Sequence, residues 1–103
     1  MNIIIGKEIA EELGKKYTVL PLEQLEREGQ IIDAFCVIPA DKINLGEMVA
    51  LDANVRMHHA FNEAYANEDW DKMKEIAEHL IGKFGGECDT FYEELLNRQP
   101  TEA

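Results

Sequence analysis

No stretch of this chain is apolar for anything near the roughly 20 residues that a membrane helix requires. The first five residues are too short for a signal-peptide core and are followed at once by Lys7 and Glu8. Cysteine is scarce: Cys36 and Cys88 are the only two, with no metal-type spacing between them. That excludes a disulfide-built scaffold and points to a reduced, cytoplasmic protein, with a single bridge left open. Basic residues are outnumbered about two to one by acidic ones, ten Lys and Arg against 21 Asp and Glu, for a net charge of -11. Phosphate backbones and anionic lipid surfaces are bound through Lys and Arg, so direct nucleic-acid binding and membrane binding are both disfavoured. The partners left are basic protein surfaces, cations or further copies of the chain.

What is present suffices for one folded domain. At 103 residues with 46% hydrophobic side chains, the chain can build a single core but not two. Its acid excess is uneven: residues 1–43 carry 5 basic and 8 acidic groups, residues 44–103 carry 5 and 13. The patterning changes at the same place. Residues 1–43 read mainly as strands, 44–98 as helices, and 99–103, with Pro100, as a frayed tail.

In the first portion, Ile3, Ile4 and Ile5 end at Gly6 as a short strand, and Ile9, Ala10 and Leu13 share one face of a short helix closing near Gly14. Strand chemistry resumes at Tyr17, with Pro21 predicting an edge position or an early stop. The charged run from Glu26 to Gln30, with Gly29, predicts a turn. The run from Ile31 to Ile38, apolar except at Asp33, is then the best-buried strand, hairpin-paired with residues 17–25. The first strand is an expected third member, although the connection through residues 6–16 is short for a parallel crossover.

In the second portion, Asn44 followed by Glu47 predicts a helix start, and the apolar arc predicts one continuous helix over residues 45–66. Its polar strip is narrow: Asp52, Arg56, His59 and Glu63. Such a helix requires cover on more than one side. After a pivot at Glu68-Asp69-Trp70, the stripe Trp70, Met73, Ala77, Leu80, Ile81 and Phe84 predicts a second helix capped by Asp69 and stopped by Gly85-Gly86, with Gly82 inside its last turn. Asp89 or Thr90 opens a third helix, with Phe91 and Leu95 inward. The fold class is therefore α+β: a β-hairpin or small three-stranded sheet with a short helix, packed on a helical hairpin plus a third helix.

No constellation of catalytic residues is legible. His58 lies in the apolar arc, His59 on the polar strip and His79 opposite its helix's apolar stripe, so no metal site forms, and His58 reads as a half-buried histidine with a hydrogen-bond partner. Glu75 with His79, and His59 with Glu63, have i, i+4 spacing on polar faces, which is the spacing of solvated helix pairs. Asp33 is either a perturbed acid in a pocket or a strand residue facing solvent on an edge. Cys88 precedes a helix, but Glu87 and Asp89 oppose its thiolate, while Cys36 reads as core. The glycines around Lys83 follow a helix instead of a strand and precede acids, so they form no phosphate loop. They predict a shaped corner where Phe84, Phe91 and Tyr92 gather.

The run from Gly82 to Arg98 (GKFGGECDTFYEELLNR), with the strand ending Phe35-Cys36-Val37-Ile38, resembles small uncharacterised proteins of tailed contractile phages. The resemblance spans most of the chain and contains no motif of assigned role, so it transfers no site residues. It implies a phage origin, a place in the host cytoplasm and binding to a host or virion protein. The sequence as a whole reads as a non-enzymatic, self-associating interaction protein without cofactor or metal. Glu68, Asp69, Asp71, Glu87, Asp89, Glu93 and Glu94 are its expected partner-binding surface for a basic protein. Two alternatives stay open: a small-molecule or metal-binding protein or minor enzyme with a pocket near Asp33, His58 and Tyr65, and a DNA mimic whose carboxylates stand in two phosphate-like rows.

Overall fold

The computed structural model describes residues 2–98; the predicted tail at 99–103 lies outside them. Three strands, β1 (Asn2–Ile5), β2 (Thr18–Arg27) and β3 (Gln30–Ile38), form one antiparallel sheet in the order β1-β3-β2. The run from Ile31 to Ile38 is therefore the central strand, as its two-faced apolar pattern predicts. β1 pairs with β3 from Asn2↔Val37 to Ile5↔Ala34. The short connection is tolerated because β1 and β2 are not neighbours: both flank β3, and helix α1 (Lys7–Leu13) carries the chain across one face of the sheet.

Pro21 does not stop β2. The strand runs on to Arg27 with an irregular register between Pro21 and Gln24, an adjustment open to an edge strand that lacks one amide donor. The turn is tighter than the charged run suggests: only Glu28 and Gly29, at φ 51° and 79°, lie outside the strands. Positive φ at both central residues suits a two-residue hairpin because its twist matches that of the strands.

The helical portion departs from expectation at three points. Residues 45–66 form two helices, α2 (Leu45–Val49) and α3 (Leu51–Ala66), broken at Ala50, where φ is -101° and ψ 9°. Asn44 caps α2 by accepting the Glu47 amide at 2.8 Å. The break separates a turn that buries none of its residues from a helix that buries Asn54, His58, Phe61 and Ala64. Second, α4 (Trp70–Leu80) ends before Gly82, whose φ of 86° reverses the chain, and the inward stripe includes Ile76 in place of the 40% exposed Ile81. Third, α5 (Asp89–Leu96) has no side-chain cap; Asp89 instead accepts the Gly82 amide at 2.9 Å, tying the reversal to the helix start.

The core lies between the sheet and α3, α4 and α5. Leu20, Cys36 and Ile38 from the sheet meet Phe61, Met73, Ala77, Leu80, Phe84, Tyr92 and Leu95, all but fully buried. At the predicted corner, Phe84, Gly85 and Gly86 take successive φ values of 55°, 66° and 76°. Left-handed backbone costs a side-chain-bearing residue roughly 1–2 kcal/mol, so burial of the Phe84 ring must offset it. Gly85 is needed for space as well: a Cβ there would stand 2.6 Å from the Lys42 carbonyl oxygen.

Candidate functional site

Among the described residues, one imidazole is fully buried: that of His58, at 0% exposure in the middle of α3. Its Nε2 lies 2.6 Å from the Pro21 carbonyl oxygen and its Nδ1 2.7 Å from the Tyr92 hydroxyl. A carbonyl only accepts, so Nε2 carries the proton and Nδ1 accepts from Tyr92. Asn62 donates to the same carbonyl at 2.9 Å. Burial holds the imidazole neutral, lowering its pKa from 6.5 to about 4 against the raising effect of the Pro21 bond, with the His59 charge lowering it further. The bonds join three elements: α3, the β2 edge and α5.

Behind Tyr92 lie the two thiols. Cys88 is hydrogen-bonded to Cys36, and this bond, with burial and the neighbouring acids, pushes the Cys88 thiol far above its usual range. Burial first, then the nearby thiols, likewise pushes the Tyr92 phenol up. Both cysteines are buried and stand outside any disulfide among the described residues. The rings of Phe84, Phe91 and Tyr92 surround His58, with centroids 5.6–6.4 Å away. The site is polar and mutually satisfied, and it keeps its members neutral. Chemically it clamps; a general base or thiolate nucleophile requires the opposite shifts.

Asp33, His58 and Tyr65 have separate neighbours. Asp33 stands on the central strand, not an edge; its side chain accepts from Gln24 at 2.9 Å and lies 3.9 Å from the Lys7 ammonium. Tyr65 packs on Trp70, with centroids 6.0 Å apart, and its hydroxyl accepts from Arg98 at 3.4 Å. His59 and His79 are exposed, and among the described residues no three His, Cys, Asp or Glu side chains gather as metal ligands.

The seven acids are spread along α4 and α5 and the turns before them. Asp69 caps α4 by accepting the Lys72 amide at 3.4 Å, Asp89 holds Gly82, and Glu94 pairs with Arg98 at 3.1 Å. Arg98 also pairs with Glu23, fastening the end of α5 to β2. Glu87 is half-buried, and Glu68, Asp71 and Glu93 are exposed.

Two surface features complete the inventory. A cleft of about 720 Å³ opens between α1, the start of β2 and α3, floored by Ala10, Val19, Phe35, Leu51 and Val55 and bordered by His59. Beside it, α2 holds Leu45, Met48 and Val49 at 82%, 59% and 91% exposure. On the same turn, one carboxylate oxygen of Glu47 is covered without a donor. The wide apolar arc signals this patch in sequence, but only the break at Ala50 shows which part of the arc is left over. No protein-family model, curated protein or solved structure matches the chain.

Proposed function

We propose that this chain is a non-enzymatic, acidic interaction protein that associates with itself and binds a protein of basic surface. The observation that carries the reading is α2: a helical turn with three large apolar side chains that buries none of them against its own chain. A cluster of this kind gives away the free energy that burial would return, about 25 cal/mol per Å², unless another surface covers it. The charge of -11 supports a basic partner, drawn in by long-range attraction that salt screens. Glu68, Asp71 and Glu93, exposed, are the acids of the expected surface best placed to meet it. If the resemblance of residues 82–98 reflects a phage origin, that partner is a host or virion protein.

The test is capture of partners by the tagged full chain from lysate of the source cells, at low and moderate salt, beside Leu45→Ser/Val49→Ser and Asp71→Lys/Glu93→Lys. One stoichiometric partner that weakens with salt and with both double variants is the expected result. A partner indifferent to both, or stabilisation by a nucleotide or metal ion alone, would overturn the reading.

A further inference from the structure

Two nucleophilic side chains lie outside the interaction surface. Cys36 is in the central strand, level with Ile3 of β1 on one side and Leu20 of β2 on the other. Cys88 stands just before α5, and its carbonyl accepts the Tyr92 amide at 3.1 Å. The fold sets these distant residues side by side, both at 0% exposure, with the Cys88 thiol hydrogen-bonded to Cys36. Such contact is the precondition for a disulfide, because a pair whose Cβ atoms point apart cannot be bridged without backbone movement.

The two thiols differ in how they can be reached. Cys36 is paired through its backbone on both sides, so its release requires the sheet to open. Cys88 follows the corner at residues 82–86, where Gly82 and Gly85 are exposed and Phe84 holds a left-handed backbone. The tie between corner and helix is one side-chain bond, from the Gly82 amide to Asp89 at 2.9 Å. Exposed segments of this kind open more readily than central strands, and this one carries Cys88 with it. While the corner is closed, burial and the neighbouring Glu87 and Asp89 keep the thiol protonated and inert.

We propose that Cys36 and Cys88 are a redox pair for a small peroxide, in which Cys88 reacts first, Cys36 resolves it, and the disulfide staples α5 to the central strand. In the first step the opened Cys88 gives its proton to solvent and its thiolate attacks one oxygen of hydrogen peroxide. An S–O bond forms, the O–O bond breaks, and the second oxygen takes up a proton and leaves as water. The corner then closes and returns the Cys88 sulfenic acid to Cys36. The Cys36 sulfur attacks the Cys88 sulfur, an S–S bond forms, the S–O bond breaks, and the hydroxyl leaves as water with the Cys36 proton. Two thiols are thereby oxidised and one peroxide is reduced to two waters. Proximity selects the product: the resolving thiol is already in place, ahead of a second oxidation or a link to another chain. Since the bridge joins residues remote in sequence, it restricts the unfolded chain and makes the oxidised form the more stable one.

The test treats the folded full chain with hydrogen peroxide in the absence of denaturant, beside Cys36→Ser and Cys88→Ser. In wild type, mass spectrometry should show a loss of about 2 Da that dithiothreitol reverses, and proteolysis should release a peptide linked through Cys36 and Cys88. The bridged chain should melt about 10 °C higher than the reduced one. Cys36→Ser should carry a sulfenic acid on Cys88 that dimedone traps, while Cys88→Ser should react about 10-fold more slowly at Cys36. Should either serine weaken the core, the wild-type peptide map and melts decide alone. A wild-type chain that stays reduced, that ends as sulfinic acid or a covalent dimer, or whose bridged form melts lower overturns the pair. Equal reactivity of the two single variants overturns the order of attack.

Discussion

His58 and Leu45 invert the usual rule in opposite directions. One is a basic ring at 0% exposure, the other an aliphatic side chain at 82%. Inside, the cost of burying a polar ring is offset by bonds to Pro21 and Tyr92. Outside, nothing in the described chain offsets the exposure of Leu45, Met48 and Val49. The polar interior is thus a completed structural device, and the apolar exterior is the incomplete one.

The sharpest way to test the completed half is to empty it. Phe84→Ala should cost about 3–5 kcal/mol, because the ring is buried among His58 and the helices and its removal leaves the left-handed Phe84 backbone without compensation. Trp70→Ala, at a half-buried position against Tyr65, should cost about half as much. Denaturant melts of both decide the matter: equal losses would mean that the corner is no more tightly built than the α3–α4 turn.

His58 offers a smaller, pH-dependent effect. Unfolded, it takes up a proton near pH 6.5; folded, only near about 4. Below 6.5 the unfolded chain therefore binds more protons, and stability falls with pH across that window, by about 3 kcal/mol once pH 4 is reached. Carboxylates titrate there too, so the contribution is read as the difference between wild type and His58→Gln in melts from pH 7 to 4. A difference that stays constant with pH would place His58 in water.

Much of this architecture was legible because local chemistry and global packing agree. Asn44 and Asp69 cap where the sequence places them, and the run from Ile31 to Ile38 is apolar on both faces because α1 packs on one face of the sheet and α3, α4 and α5 on the other. The hydrogen bonding of His58 was legible, but the sequence reads it as half-buried where it is fully buried, and its partners were hidden: the Pro21 carbonyl and Tyr92 lie 37 and 34 residues away, and only tertiary packing brings them to it. The break at Ala50 was hidden because alanine is the best helix former and periodicity runs through it unchanged. For the same reason the apolar arc could be read as excess, but not assigned to one turn.

That turn carries the smallest expected effect on stability and the most informative one. Leu45 and Val49 bury little, so Leu45→Ser/Val49→Ser should shift the free energy of unfolding by no more than about 0.5 kcal/mol. On the proposed reading, in which α2 leaves water against the basic partner, the same double variant should lose capture of that partner. Measured together, melts and capture separate the two halves of the molecule. A loss of several kcal/mol would mean that α2 belongs to the core, and unchanged capture would mean that its exposure serves no partner.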